Sequence, residues 1–414
     1  MPASLRDTIH DGEGGSVLLA ALIVTLMATV LLVGAAHEVG VRLEGGQRLR
    51  RGRLALAGAQ AGLEAAARLA SAAGFLRGAG TNPLWIEDRQ IGAATVAVNA
   101  SDPGDGRLET SGALGSSDAD TVRLTATARV AGIERTLASD WLPLPHLALR
   151  NAICARGSVT LGSVLIEGRV RANGGVTTTG STDLFGDVTT LAGGSVSSIL
   201  DDGDTDIFFV ADSLPFPAVD LSWFVAAGER ISLPAFPAIT STWITPDHNP
   251  YGSPSPEGIY WIDAAGANIA LSDLAVVACL VVRNARTVYV SDIWGDTTDY
   301  YHASPDPGRL PALIVEGDLV LRIEGGKVWN LTVDGTPLVV TSGLEGVFYC
   351  TGSFVGPQDG ASTAIRVHGA ILADEITLTG PSSWIRHDAD LNTLPLAQLT
   401  RPGLRVLAGS VREP

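Results

Sequence analysis

The chain has 414 residues, a formal net charge of −16, 48 glycines, and only 6% aromatic and 17% charged residues. A chain of this length has room for two or three domains. The acidic balance argues against nucleic acid or anionic lipid headgroups as partners, because both require a basic surface. Abundant glycine with few charged side chains favours repetitive β-structure over a helical enzyme.

Residues 16–36 form an apolar run whose only polar side chains are Ser16, Thr25 and Thr29. Its length matches the roughly 20 apolar residues that a helix needs to cross the hydrocarbon core of a bilayer. The threonine hydroxyls can bond back to the preceding helical turn. A cleaved signal peptide would have a shorter apolar core and a basic start, and a buried core helix would be amphipathic. We therefore predict an uncleaved membrane anchor.

The helical pattern continues to residue 75, because the later residues are rich in alanine, leucine and arginine, which are good helix formers. Glycines at 45–46 and at Gly52 mark positions where this helix could bend. Gly58 and Gly62 are four residues apart and create a stripe of small residues on one face. The stripe has two interpretations: close approach of another backbone, or the ordinary packing of a helix.

The segments Gly14–Leu19 (GGSVLL) and Ala59–Ala66 (AQAGLEAA) flank the apolar run. Together they resemble the N-terminal segment of PilX-like minor pilins and related type IV pseudopilins. The resemblance implies that residues 1–15 are a leader cut after Gly15, so that Ser16 becomes the new N-terminus. It also implies that the apolar helix anchors the subunit in the membrane and later packs in a filament core.

Ala20 occupies the position at which most pilins carry glutamate. Pseudopilins that cap a filament tip can also lack that glutamate, so the resemblance implies a minor or tip subunit. The implied partners are other pilin-like subunits, the pilus or secretion assembly machinery and the lipid bilayer. The helix residues to which the resemblance assigns anchoring or assembly are Leu18, Leu22, Leu26, Gly58, Gly62 and Glu64.

The same resemblance implies a single-pass inner-membrane protein with an exported C-terminal domain, which can enter a cell-surface filament. Five arginines between residues 42 and 53 favour the opposite orientation under the positive-inside rule. Because these arginines continue a helix and do not form a short loop, we follow the resemblance.

Residues 76–150 change to an alternating pattern, with strands predicted at Thr95–Val98, Val122–Val130 and Ile133–Leu137. Alternation with charged residues on one side indicates a small antiparallel β-meander. A helix followed by such a sheet is the small αβ head that the pilin resemblance implies.

From residue 151 a Gly-x-Val unit recurs about every six residues. Glycine would turn each corner and valine would point inward, which predicts a right-handed parallel β-helix, or β-solenoid, beginning with residues 151–200. Prolines and aromatics interrupt the pattern over residues 201–262, predicted as an ordered flap over the solenoid. The pattern resumes over residues 263–396, apart from a polar loop at 295–309, and residues 397–414 are predicted as a C-terminal tail. The chain is thus predicted to be mainly β.

The sequence contains no P-loop, HExxH, CxxC or Gly-x-Ser-x-Gly motif, so we expect no catalytic residue and no cofactor. Cys154, Cys279 and Cys350 each lie in an apolar run, which indicates buried core residues, although one pair could be bridged in an exported domain. Ca²⁺ is the one metal considered, since carboxylates offer hard oxygen ligands; a solvated acidic turn is the alternative. The candidate ligands are Asp201, Asp202, Asp204 and Asp206.

Aromatic residues cluster in and beside the predicted flap. Exposed, they would form a binding surface for a carbohydrate or a protein; buried, they would belong to the core. They are Trp243, Tyr251, Tyr260, Trp261, Trp294, Tyr300 and Tyr301.

These observations favour a membrane-anchored, pilin-like structural or assembly protein that presents a β-solenoid for adhesion or display. The alternative is a membrane-tethered β-helix enzyme that acts on polysaccharides. Such enzymes place carboxylates and a histidine on one face, and Asp201, Asp202 and His368 supply those groups here.

Overall fold

The computed structural model is mainly β, with one long helix at its N-terminal end. The residues that it describes are 12–73, 84–101, 122–179, 182–197, 205–233, 238–291, 297–306, 310–324, 327–333, 335–356, 365–380, 383–392, 396, 399–406 and 411.

Helix α1 (Gly12–Ala73) runs for 62 residues without a break, so it is roughly 90 Å long at about 1.5 Å per residue. It passes through the glycines at 45–46 and Gly52, where the sequence allowed a bend. Its C-terminal part packs on a sheet, with Ala55, Ala59 and Leu63 buried there.

Four antiparallel strands follow the helix in a simple meander: β1 (Leu84–Ile91), β2 (Ala94–Ser101), β3 (Val122–Val130) and β4 (Ile133–Pro145). Alternate residues point towards α1, so Val96, Val98, Leu124, Ala126 and Ala128 are buried. Arg123 lies in the same sheet and pairs with Asp140 of the neighbouring strand at 2.7 Å. The predicted β-meander is confirmed for these strands, and with α1 it forms what we call the head.

A 3-10 turn, η1 (Leu147–Arg150), leads from the head into nine short strands. These strands are β5 (Ile153–Ala155), β6 (Val159–Leu161), β7 (Val164–Glu167), β8 (Val170–Ala172), β9 (Val176–Thr178), β10 (Asp183–Phe185), β11 (Val188–Leu191), β12 (Val196–Ser197) and β13 (Ile207–Val210).

A short helix, α2 (Leu221–Ala227), precedes the remaining strands of the second half. These are β14 (Glu229–Arg230), β15 (Ala238–Ile244), β16 (Ile259–Asp263), β17 (Ile269–Val277), β18 (Cys279–Arg283), β19 (Thr287–Val290), β20 (Thr298–Ala303), β21 (Leu313–Val315), β22 (Asp318–Leu321), β23 (Ile323–Glu324), β24 (Val328–Val333), β25 (Thr336–Thr341), β26 (Gly343–Cys350), β27 (Ser353–Val355), β28 (Arg366–Ala373), β29 (Glu375–Leu378) and β30 (Ser383–Arg386). A second 3-10 turn, η2 (Ala389–Asn392), follows them.

Most of these strands pair in parallel along three ladders, which together we call the stack. The first ladder runs β14–β16–β18–β21–β26–β28–β5–β8–β11–β13. The second runs β15–β17–β19–β22–β27–β29–β6–β9–β12. The third runs β15–β17–β20–β26–β28–β30–β7–β10.

The order of strands in the stack differs from their order in the chain. The chain enters the middle of the first ladder at β5, and the late strand β28 pairs with β5 through Ile371 and Ile153. Strands β13 and β14 are neighbours in sequence but lie at opposite ends of this ladder. Ten strands at about 4.8 Å spacing separate those ends by about 43 Å. Residues 211–228 must therefore run back along the stack.

The stack has an apolar interior built largely from the predicted Gly-x-Val units. Val170 and Val188 face each other in neighbouring strands and are fully buried, as are Val159 and Val176. The prediction that these valines point inward is confirmed. Gly186 shows why glycine precedes valine, because at its φ of 150° a Cβ would lie 2.6 Å from the backbone oxygen of Gly168.

Residues 211–228 cover the outward face of the first ladder and are called the cover segment. The side-chain amide of Asn173 donates to Leu214 O at 2.9 Å and accepts from Leu214 N at the same distance. Tyr349 donates its hydroxyl to Pro217 O at 3.0 Å, and Phe224 is fully buried. The predicted flap of residues 201–262 is thus shorter in the structure, since β13, β14, β15 and β16 within that range are strands of the stack.

The polar segment predicted as a loop at 295–309 contains β20, because its polar side chains find partners within the fold. Thr298 Oγ1 accepts from Asp273 N at 2.7 Å. The antiparallel hairpin β24–β25 packs on the outward side of β20, where Trp329 and Leu331 bury Tyr301. Both strands of this hairpin lie in segments that the sequence assigned to the solenoid coils.

The chain finally returns to the head. Strand β31 (Thr400–Val406) pairs antiparallel with β4, with Val406 opposite Trp141. Residues 397–414, predicted as a tail, therefore contain the fifth strand of the head sheet. The stack is an insertion between two adjacent strands of that sheet, which joins it to the head at both of its chain ends.

Candidate functional site

The N-terminal part of α1 is apolar and uncovered. Within the described residues it is the one helix long and apolar enough to cross a membrane, and none of its apolar window is buried. Leu22 and Leu26 are each 66% exposed. Thr25 and Thr29 donate their hydroxyls to carbonyls one turn earlier at 2.7 Å, which satisfies them within the helix. This half of the helix has the properties required for a lipid environment.

Several predicted assembly residues lie along α1. Gly15, Ser16 and Leu18 belong to the helix, which begins at Gly12, so the last four residues of the predicted leader are helical. Residues 1–11 of the predicted leader lie outside the described residues. Glu64 is exposed on the C-terminal part of the helix.

The small-residue stripe of α1 contacts the head itself. A Cβ added at Gly58 would lie 2.5 Å from Ala94 Cβ, and one added at Gly62 would lie 2.5 Å from Val96 Cγ1. Both glycines are buried. Of the two interpretations of the stripe, the structure supports ordinary packing, because the space beside these glycines is filled by β2.

The predicted aromatic surface divides into buried and exposed members. Tyr260 and Tyr300 are fully buried and Tyr301 is 4% exposed, so these three belong to the core and not to a binding surface. Tyr260 donates to Thr245 O at 2.7 Å. The hydroxyl groups of such tyrosines find partners inside the fold, which allows their rings to be buried.

The exposed members lie near β15, at one end of the stack. Trp243 is 41% exposed and stacks on His248, with ring centroids 4.8 Å apart. Tyr251 and Trp261 are half-buried, and Arg230 lies 5.3 Å from the centre of the Trp261 ring. Trp294 lies outside the described residues.

His302 forms a buried polar cluster that sequence reasoning missed, because it stands alone in the sequence. Its Nδ1 lies 2.7 Å from Tyr300 Oη, and its Nε2 lies 3.1 Å from Ala278 O. A carbonyl oxygen can only accept, so Nε2 donates and Nδ1 accepts from the tyrosine. Burial lowers the pKa of His302 to about 4 and raises the pKa of Tyr300. This cluster is sealed within the stack.

The metal and catalytic candidates do not converge in the part of the chain that the structure describes. Asp201, Asp202 and Asp204 lie outside it, while Asp206 is exposed just before β13. His368 is exposed and pairs across the ladder with Glu345. Among the described residues, no group of three histidine, cysteine, aspartate or glutamate side chains could hold a metal ion.

The three cysteines are free and buried, as their apolar surroundings predicted. Burial raises the pKa of Cys154 to about 12. The alternative in which one pair is bridged is wrong for this structure.

Neither a protein-family model nor a curated protein sequence matches the chain. Among solved structures, the competence-associated pilin ComZ from Thermus thermophilus is similar with a TM-score of 0.35 and 10% identity, covering 87% of this chain and 96% of its own. The DUF3494 domain of ice-binding protein_1 from Shewanella frigidimarina is similar with a TM-score of 0.24 and 10% identity, covering 59% of this chain and 98% of its own.

The described part of the chain joins one long helix to a small antiparallel sheet and a parallel stack. One helix carries an uncovered apolar half and a half that packs on a small antiparallel sheet. The parallel stack is an addition to that plan, inserted into the head sheet before its last strand.

Proposed function

We propose that the protein is a minor or tip subunit of a type IV pilus or type II secretion-like filament, of the PilX-like kind that its N-terminal segment resembles. The observation that carries the proposal is the division of α1. Its first half is apolar and exposed, and one face of its C-terminal part, from Ala55 onward, is buried against the head. A helix of this design can occupy the bilayer before assembly and pack against the helices of neighbouring subunits afterwards.

The stack would be the exported, functional part of such a subunit, serving adhesion or display and not catalysis. We propose that its three ladders are the faces of a right-handed β-solenoid, since parallel β-crossovers are nearly always right-handed. The role requires neither a cofactor nor Ca²⁺. The partners would be other pilin-like subunits, the assembly machinery, the inner membrane and a carbohydrate or protein at a surface.

Processing after Gly15 provides the test. Gly14 and Gly15 weaken the first turn of α1, which would let a peptidase reach a bond that is helical in the full chain. We expect N-terminal sequencing of the protein in sheared cell-surface filaments to begin at Ser16. In a Gly15→Val variant we expect the unprocessed chain to stay in the membrane fraction. Filament-borne protein that begins at Met1, or protein missing from filaments altogether, would contradict the proposal.

A further inference from the structure

The outward face of the first ladder changes from buried to accessible residues where the cover segment begins. From β18 to β5 its register row consists of the buried apolar residues Val281, Ile314, Tyr349, Leu372 and Cys154. The next positions in the same row are Arg171, Thr189 and Phe208. The row, which is apolar and buried from β18 to β5, therefore becomes accessible over its last three strands, where it has two polar residues and one aromatic residue.

A cavity of about 370 Å³ lies over these three positions. Turn η1 borders it with Arg150, and β8 lines it with Arg171. Exposed Arg169, which also lines it, is neutralised by Asp187 at 3.1 Å. Two guanidinium groups without a carboxylate partner in the described ranges thus face one cavity. This is a local positive site on a chain whose net charge is −16.

Arg171 carries a donor with no partner. Its Nη2 donates to Asp212 O at 3.0 Å, which fixes the side chain against the start of the cover segment. Its Nε is buried and has no hydrogen-bond partner among the described residues. A buried donor left unpaired is destabilising, and native proteins leave few of them. Arg171 lines the cavity, and because a guanidinium has five N–H donors, the donors other than Nε and the one bonded to Asp212 O can serve an anionic acceptor there.

Phe208 adds a second kind of contact. It is 47% exposed at the edge of the same cavity, on β13, the last strand of the ladder. The half-buried hydroxyl of Thr189 lies between Phe208 and Arg171 in the register row. An inorganic anion would make no use of an aromatic ring. A pyranose ring would, because its C–H face packs on an aromatic side chain while its hydroxyls and any carboxylate need polar groups.

We propose that this cavity binds an acidic sugar unit, with Arg171 and Arg150 holding a uronate carboxylate, Thr189 a ring hydroxyl, and Phe208 the apolar face of the ring. Arginine suits this task because its planar fork pairs with a carboxylate through two parallel hydrogen bonds. The assignment deepens the proposed adhesive role and rests on it for its biological meaning. It places adhesion on the first ladder and not at the exposed aromatics around Trp243.

The test is calorimetric titration of the full-length protein in detergent micelles with tri-galacturonate, using neutral maltotriose for comparison. We expect binding of the acidic sugar only, weakened by added salt because the contact is ionic. Arg171→Gln and Arg150→Gln should each weaken binding by about tenfold or more, since each removes a charged donor. Phe208→Ala should also weaken it. Arg366→Gln, an exposed arginine elsewhere on the stack, should leave the affinity unchanged.

Equal affinity for maltotriose would overturn the proposal, as would unchanged affinity in the Arg150→Gln/Arg171→Gln double variant. A glutamate-rich peptide that binds while the uronate does not would replace it with a peptide site. Should Arg171→Gln fail to fold, Arg150→Gln still decides, because Arg150 is exposed. Uronate binding by a chain that never enters filaments would leave this site standing and refute only the proposed function.

Discussion

Val170→Asp is expected to unfold the stack. Val170 is fully buried on β8 of the first ladder, between Ile153 and Val188. An aspartate there would be a charge without a partner in an apolar interior, which costs several kcal/mol. Because total stability is only about 5–15 kcal/mol, a loss of this size removes much or all of it.

Thr177→Asp is the matched control for Val170→Asp. Thr177 lies on β9 of the adjacent ladder with its side chain exposed, so the same charge should change stability by about 0.5 kcal/mol or less. Thermal unfolding of the full-length variants in detergent, followed by near-ultraviolet circular dichroism, makes the comparison. A Val170→Asp protein that melts like the parent would show that the inward register is wrong.

Acid is expected to destabilise the native protein through His302. Burial holds its pKa at about 4 in the folded chain, below its ordinary value of 6.5. Below pH 6.5 the unfolded chain therefore binds a proton that the folded chain does not, and stability falls as the pH falls. The loss ends near pH 4 and reaches about 3 kcal/mol, at about 1.4 kcal/mol for each pKa unit.

A neutral substitution isolates this contribution from the titration of carboxylates. His302→Gln should be less stable than the parent at pH 7, because Tyr300 and Ala278 lose part of their hydrogen bonding. Between pH 6.5 and 4, however, it should lose about 3 kcal/mol less than the parent. His368→Gln, at an exposed histidine, should follow the parent curve. Denaturant titrations at several pH values measure these differences, and parallel curves for His302→Gln and the parent would contradict the assignment.

The local patterns of the sequence predict the elements of this fold well, because each depends on neighbouring residues. The apolar run predicts α1, and alternation predicts β2, β3 and β4. The six-residue Gly-x-Val period corresponds to one ladder position. After about three such positions the chain returns to the same ladder, where Ile153, Val170, Val188 and Ile207 pair in succession.

Features that depend on distant residues could not be predicted in this way. The pairing of Ile371 with Ile153 joins the late strands of the stack to the early ones, and no local signal marks it. The return of β31 to β4 is equally non-local. The polar residues of β20 are typical of a loop. They are accommodated in a strand because the backbone N–H of Asp273, 25 residues earlier, donates to Thr298. Prolines suggested an interruption at 201–262, yet β13, β14 and β15 lie within that range and pair in the ladders.

The cavity that Arg150 and Arg171 line was not predicted from the sequence, although the spacing of its residues carries a signal. Arg171 lies 17 residues after Cys154 and Thr189 lies 18 after Arg171, which places all three in one outward row. That row can be recognised only when the spacing between paired strands is known. The cover segment then decides which members of the row are buried and which remain accessible.

The side of the membrane on which the stack lies tests the central claim most directly. A phosphatase that is active only outside the cytoplasm, fused after Pro414, should be active, and a fluorescent protein that folds only in the cytoplasm should be dark at the same position. Fusion of either reporter ahead of Met1 should give the reverse pattern. An inactive phosphatase with a bright fluorescent protein after Pro414 would place the stack in the cytoplasm, and would contradict both filament assembly and adhesion.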